Sequence, residues 1–483
     1  MSVRAQRITV IAVLSAAAAT ACGSGGHRVS APSPSPTTGA APVSTHAPTA
    51  TASPAPGAGG DAQDQTFGYH RDAGHTGFDP LTPPFTTWSK AWSADLDGQV
   101  YGQPLVVGDH VIAITENSTV YALAIDSGTV VWHTHVTEPA ARDKLPCGNI
   151  QPTVGITSTA AYDPASRRIF TVALTPAGST VKHVLFALDA ATGRVVLQRD
   201  IDPQAHGIDP AALNERGALA IANGRVYVPF GGNFGDCGSY RGAVVSSALD
   251  GQGPLTQFVL PTPREGGMWA PGGIAVDDHG DLYVSTGNGA VTDPAQGYDG
   301  SDSVIKLSPA LEQLSIFGRA EWAEDNATDL DLGTTGPLLV GPFIWIQGKA
   351  STGYLLRQSD LGGVGHPFKS VDDACGSQFG GAAAHGLTIF ASCTDGISQL
   401  TIGADGTPTP GWKAKVFGSP VVGGGVVIAV EPSSGTLYAF DEQTGAVRGQ
   451  IGVGDVSHFA TPALHDDLVL VPTLAGITAV RGA

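Results

Sequence analysis

Four cysteines in the body of the chain, Cys147, Cys237, Cys375 and Cys393, are the residues whose chemistry is easiest to state. Their number is even, no C-x-x-C occurs and no histidines cluster with them, so disulfides are expected rather than a metal thiolate site. Three connectivities are open; Cys375 and Cys393 bracket 17 residues within one repeat and are expected to pair, leaving Cys147 with Cys237. The pair His70 and His75 in "HRDAGH" reads as structural rather than metal-binding. No P-loop, G-x-S-x-G, HExxH or EF-hand pattern is present. What remains is a set of polar residues in glycine-rich stretches: Asp236 in "GDC", Asn288 in "YVSTGNG", Asp329 and Asp331 in "NATDLDLGTTGP", and Lys349 in "QGKASTGYLL". Taken alone, Asn288 reads as a turn residue, because Asn-Gly after a strand is the strongest short hairpin signal. The aspartates would cap a turn or face solvent, and Lys349 would be a surface charge. Trp269 in "GGMWAPGG" would line or plug a funnel.

The elements that must position these residues recur along the chain. An apolar strand, "AL" or similar, a polar turn ending in Gly and a second strand appear as "VYALAIDSGTVVW", "VLFALDAATGRVV", "VVSSALDGQG", "SVIKLSPAL", "GYLLRQSDLGG", "ISQLTIGADG", "LYAFDEQTGAV" and "ITAVRGA". Their central apolar residues lie at 123, 188, 249, 307, 356, 400, 440 and 480. Strand-turn-strand phrasing at this period predicts an all-β, eight-bladed β-propeller of four-stranded antiparallel blades. Seven blades is the alternative if the irregular third phrase is not a true blade. No segment shows a run of helical periodicity. The eighth repeat stops after its third strand, and an orphan strand, "TTWSKAWSAD" (86–95), precedes the first. Pairing of these N- and C-terminal strands would close the ring and remove its exposed edges.

The ends and composition set the context. Residues 1–21 carry Arg4 and Arg7 ahead of "ITVIAVLSAAAATA", which is too short for a membrane span and reads as a secretory signal. Residues 22–66 begin with Cys22 and continue as a disordered Pro/Ser/Thr/Ala-rich tether, leaving 67–483 as one propeller domain. The chain carries 43 acidic and 25 basic residues, a net charge of −18. Such a surface opposes nucleic acids and anionic headgroups.

Two resemblances add to this reading. "ATAC" before and including Cys22 resembles the lipobox of bacterial lipoproteins, with Ala19 where that pattern prefers Leu. It implies lipidation of Cys22 and anchoring at the outer face of the cell membrane. The phrase A-L/F-D-x-x-T-G-x-x-x, at 187–196 and 439–448, resembles the repeat of pyrroloquinoline quinone (PQQ) propellers, and "FGYHRDAGHTGFDP" (67–80) looks like that family's lead-in. The docking Trp that ends the family repeat is kept at Trp132, whereas 194–198 and 446–450 read "RVVLQ" and "AVRGQ". The resemblance implies PQQ and Ca²⁺ as cofactors: Asn288 as metal ligand, Asp329 (Asp331 second) as catalytic base, and Lys349 as the cation facing the quinone. "YRG" (240–242) resembles the motif after the family's calcium-ligating Glu, whose place holds "GDC", so Asp236 would have to substitute. The family's adjacent-cysteine pair is absent.

Two functions follow as expectations. The first is a non-catalytic ligand- or protein-binding module of the cell envelope. Its partner would be an envelope protein or a small ligand; it would be monomeric and touch the membrane only through its lipid anchor. The second is a PQQ- and Ca²⁺-dependent dehydrogenase of alcohols or sugars.

Overall fold

The computed structural model describes residues 67–482; the expected signal, the lipidated Cys22 and the tether lie outside the described residues. Eight antiparallel sheets follow one another along the chain, each built as a meander of four strands. Blade 1 comprises Leu105–Val107, His110–Ile114, Thr119–Ala124 and Val130–His135. Its first strand is fully buried and its fourth is largely exposed, so the strands run from the axis to the rim. The recurring phrase coincides with the third strand of every blade, from Thr119–Ala124 in blade 1 to Gly476–Gly482 in blade 8. The irregular third phrase is a true blade strand, Ala243–Ala248. There are therefore eight blades.

The orphan strand closes the ring. Trp88–Asp95 runs antiparallel to Gly476–Gly482, with Trp88 opposite Gly482 and Asp95 opposite Gly476. It becomes the outer strand of blade 8, so the two ends of the blade array are paired inside one sheet.

Strand alternation explains the core. Successive side chains point to opposite faces of a blade, and each face meets a neighbouring blade. Val111 and Ala113 pack with Leu468 and Leu470 of blade 8. Ile112 and Ile114, from the same strand, pack with Ile169 and Val184 of blade 2. This pattern is repeated at all eight blade interfaces, which is why the middle strands are apolar on both faces.

Tryptophans on outer strands lock some of these interfaces. Trp132 Nε1 donates to Ala190 O at 3.2 Å and its ring covers Gly193, where a Cβ would collide with it. Trp92 (Nε1 to Ile125 O, 2.8 Å) and Trp412 (Nε1 to Glu442 O, 2.9 Å) make the same contact at two further interfaces. Docking is thus more extensive than the repeat motif suggests, because these two residues lie outside its register.

The lead-in crosses the inner strands. Ala73, Gly74, Thr76 and Gly77 accept hydrogen bonds from Val276, Leu339, Ala384 and Val422, which belong to the first strands of blades 4 to 7. Phe78–Asp79 then pairs in parallel with Val421–Gly423. The bonded residues all belong to the innermost strand of their blade, so the lead-in runs along the axial channel. His70 and His75 are buried within it. The His70 ring stacks on Tyr69 at 4.1 Å and its Nδ1 bonds His75 O at 3.0 Å. Burial pushes the two imidazoles down to about 4 and about 3, keeping them neutral.

Two local expectations are corrected. Asn288-Gly289 is not a tight hairpin: Thr286 pairs with Ser303, and residues 287–302 form a long loop between them. One helix, Trp322–Thr328, was not visible as periodicity; at two turns it is too short to show one. It is held by Trp322 against Tyr298 and by Arg319–Asp325 at 2.7 Å. The disulfides are Cys147–Cys237 and Cys375–Cys393, with Cα–Cα distances of 5.8 and 6.0 Å.

Candidate functional site

In a four-stranded meander the loop between strands two and three and the connection to the next blade lie at the same end. Asp236, Asn288 and Lys349 sit on two-to-three loops of blades 3, 4 and 5, and Trp269, Asp329 and Asp331 on inter-blade connections. All six line one axial cavity of about 790 Å³.

Asn288 follows strand Leu282–Thr286. Its backbone N–H donates to Asp331 Oδ1 at 2.8 Å and its Nδ2 to Asp329 Oδ1 at 3.0 Å. Its Oδ1 is buried without a hydrogen-bond partner. Gly287 is required beside it, because a Cβ there would strike Asp331 Oδ1 and lie 2.9 Å from Trp269 Nε1.

Asp329 is the left-handed cap of the short helix (φ 61°), and the turn it makes brings Asp329 and Asp331 to the same lysine. Lys349 Nζ reaches Asp331 Oδ2 at 2.6 Å and Asp329 Oδ1 at 2.5 Å. Its own N–H donates to Asp331 O at 2.8 Å, which pins the loops of blades 4 and 5 together. Burial raises the Asp331 carboxyl above its ordinary range, opposed by Lys349. Burial likewise disfavours the Lys349 charge, but the two aspartates outweigh it and its pKa is raised.

Asp236 lines the same cavity from a left-handed backbone position (φ 49°) and accepts the Tyr240 hydroxyl on Oδ1. The neighbouring Cys237 is committed to its disulfide with Cys147. A second carboxylate comes instead from Glu265, which no motif singled out. Glu265 N donates to Tyr240 O at 2.8 Å, and the next residue, Gly266, donates to Asn288 O at 2.6 Å. Its side chain pairs with Arg264. Burial raises its pKa, offset by Arg264 and reinforced by Asp236. The only sequence signal was an acid in the glycine-rich run leading to Trp269.

Four carboxylates (Asp236, Glu265, Asp329, Asp331) thus line a cavity whose cations are Lys349 and Arg216. Aromatic surface is added by Trp269, Phe379 and Phe459. Such a chamber suits a drug-sized, partly planar ligand held by convergent polar groups, with room for a cation at the carboxylate end.

A PQQ-repeat family model described as outer membrane protein assembly factor BamB matches residues 86–233. No curated protein sequence matches the chain. Among solved structures, the fold is similar to quinohemoprotein alcohol dehydrogenase ADHIIG from Pseudomonas putida HK5, at 14% identity and TM-score 0.66, covering 87% of this chain and 80% of that one. It is similar to a europium-containing methanol dehydrogenase at 15% identity and TM-score 0.66, covering 87% and 98%. It is also similar to BamB from Moraxella catarrhalis at 14% identity and TM-score 0.56, covering 82% and 100%. At such identities the likeness establishes fold and not activity. With eight closed blades and Trp-docked repeats, the chain has the β-propeller fold of these structures, and the PQQ-repeat model matches its residues 86–233.

Proposed function

We propose that the outer axial cavity binds a planar quinone cofactor of the PQQ class together with Ca²⁺, and that the loaded protein oxidises alcohols or sugars outside the cytoplasm. The observation that carries this reading is the Asn288 Oδ1, buried without a partner in a cavity that also holds the carboxylates of Glu265 and Asp331. Ca²⁺ is a hard cation that takes oxygen ligands of this kind. Asn288 Oδ1 with Glu265 or Asp236 would hold the metal, Glu265 supplying the carboxylate that the "GDC" segment lacks. Trp269 would support the ring. When bound, the quinone accepts the hydride equivalent and the metal polarises its carbonyl. Asp329 receives Lys349 and Asn288 Nδ2 on the same oxygen, Oδ1, which leaves Oδ2 to take a substrate hydroxyl proton. Two disulfides favour an exported protein, and anchoring through Cys22 at the outer face of the cell membrane completes the proposal.

The second reading is a non-catalytic module that binds a small ligand or an envelope protein. It is favoured by the disulfide that occupies the position of the family's metal-ligating Glu, and by Lys349, whose pairing with both aspartates lets the polar cluster close on itself. The test is titration of the full chain with PQQ, with and without Ca²⁺. Absorbance, melting temperature and dye reduction with a panel of alcohols and sugars are followed. The dehydrogenase reading expects Ca²⁺-dependent binding that Asn288→Ala abolishes, with dye reduction. Binding without reduction would favour the second reading, and no binding at any concentration would remove the quinone. Membrane fractionation of a Cys22→Ser variant tests the anchor: release into the soluble fraction is expected.

A further inference from the structure

Behind the outer cavity lies an inner chamber of about 260 Å³, closer to the lead-in and lined in part by Tyr69. The two share Asn149, Arg216, His458 and Phe459. Arg216, from the connection between blades 2 and 3, stands at this throat. Its guanidinium lies over Trp269 at 5.8 Å and over Phe459 at 5.7 Å. Among the described residues it makes no hydrogen bond and no ion pair, and the carboxylates that affect it, Glu116 and Asp236, act only through space. A guanidinium is permanently charged and carries five donors in a planar fork suited to a carboxylate. The residue is half-buried, and its fork opens onto both chambers. The inner chamber holds a second unmatched donor: Ser457 is 6% exposed and its Oγ is buried without a partner. The Asn149 amide and the Tyr101 hydroxyl line the same space.

We propose that the inner chamber is a carboxylate-binding site, with Arg216 as the forked partner of the carboxylate and Ser457 as a further donor. Its volume and aromatic throat suit an acid of benzoate size. The carboxylate has two conceivable sources: a free small acid occupying the chamber, or an acidic arm of the outer-cavity ligand reaching through the throat. The second rests on the function proposed above; the first does not.

The test uses the full chain at about pH 6, where Glu116, pushed up to about 7 by burial, is mostly neutral. Sodium benzoate and its neutral analogue benzamide are titrated, followed by calorimetry and melting temperature. Benzoate is expected to bind and raise the melting temperature, benzamide to do neither, and Arg216→Gln to weaken benzoate about 10- to 100-fold. Repeating the titration after saturation with PQQ and Ca²⁺ separates the sources: continued benzoate binding assigns a free acid, displacement assigns an arm of the outer ligand. Asn288→Ala is expected to lose PQQ but keep benzoate, so failure of the cofactor reading leaves this one standing. Equal responses to benzoate and benzamide, no response to benzoate up to its solubility limit, or a folded Arg216→Gln variant with unchanged benzoate affinity would each overturn the site. Should Arg216→Gln not fold, the benzoate-against-benzamide comparison on the native chain decides.

Discussion

Replacing Lys349 with Met removes the positive charge between Asp329 and Asp331 while keeping a side chain of similar length. The Lys349 and Asp331 side chains are 19% and 9% exposed and 2.6 Å apart, so the pair is mostly shielded from water. At an effective dielectric of about 20 the gross attraction at that separation is about 6 kcal/mol. The Asp329 side chain is 77% exposed, so its pair adds about 1 kcal/mol or less. Burying the ammonium costs part of this gain, and Met does not carry that cost, which leaves a net loss of about 3 kcal/mol. The sign with pH follows from Asp331. Its pKa is already raised by burial and opposed by Lys349, so removing the lysine raises it further. An acid whose folded pKa lies above its unfolded value contributes stability that is present at low pH and lost as pH rises through the folded value. The deficit should therefore be largest at about pH 8 and shrink at about pH 5. Urea unfolding of the native chain, Lys349→Met, Asp331→Asn and the double variant measures it. The double variant should recover about 2 kcal/mol relative to additivity, because removing both charges leaves no buried orphan. A Lys349→Met penalty that does not change with pH, or strict additivity, would refute the reasoning.

Three further outcomes are expected. Glu116 is 2% exposed and pushed by burial from 4.5 up to about 7, a raised acid whose ionisation costs about 3 kcal/mol; Glu116→Gln should be the more stable chain at about pH 8 and lose the advantage toward pH 4 in thermal melts, and parallel curves would contradict this. Opening Cys375–Cys393 (separation 18) or Cys147–Cys237 (separation 90) by Cys→Ser should cost about 3 and about 4.5 kcal/mol respectively in denaturant unfolding, with equal costs counting against the loop-entropy account. Trp92→Ala, in the closing strand, should cost about 3–5 kcal/mol and make Trp88–Asp95 the first site of limited proteolysis within residues 67–482; first cleavage in another blade would place the weak seam there.

The ring was legible because its cause is periodic and local. Each blade's third strand repeats an apolar run buried on both faces, so eight phrases meant eight blades, the irregular "VVSSALDGQG" included. Closure was legible because an unpaired strand stood at one end and a missing one at the other. The cysteine pairing followed from spacing. Other features had no local cause to read. The helix before Asp329 is held by Arg319 and Tyr298 rather than by periodicity. Asn288-Gly289 carried a hairpin signal, yet the loop bridges outward to Glu265 and Asn326. Both aspartates bond Asn288 and Lys349, but Asp331, ranked behind Asp329 from its motif, is the buried one, its side chain 9% exposed against 77%.

By itself, then, the amino-acid sequence determined an all-β closed ring with candidate polar residues on its loops, because strand periodicity and turn chemistry act between near neighbours. Only the tertiary structure decided which loops share an end of the barrel-like channel, and so which distant side chains meet. Glu265 and Arg216 entered the cavity that way, from connections that carry no motif, while Asp236, Trp269, Asn288, Asp329 and Lys349 were brought to one wall-to-wall chamber by the meander's alternation of ends. Burial did the rest for Asn288 Oδ1 and Ser457 Oγ, which it left without partners, and among the described residues Arg216 makes no ion pair; those are properties of assembled space, which no local stretch of chain encodes.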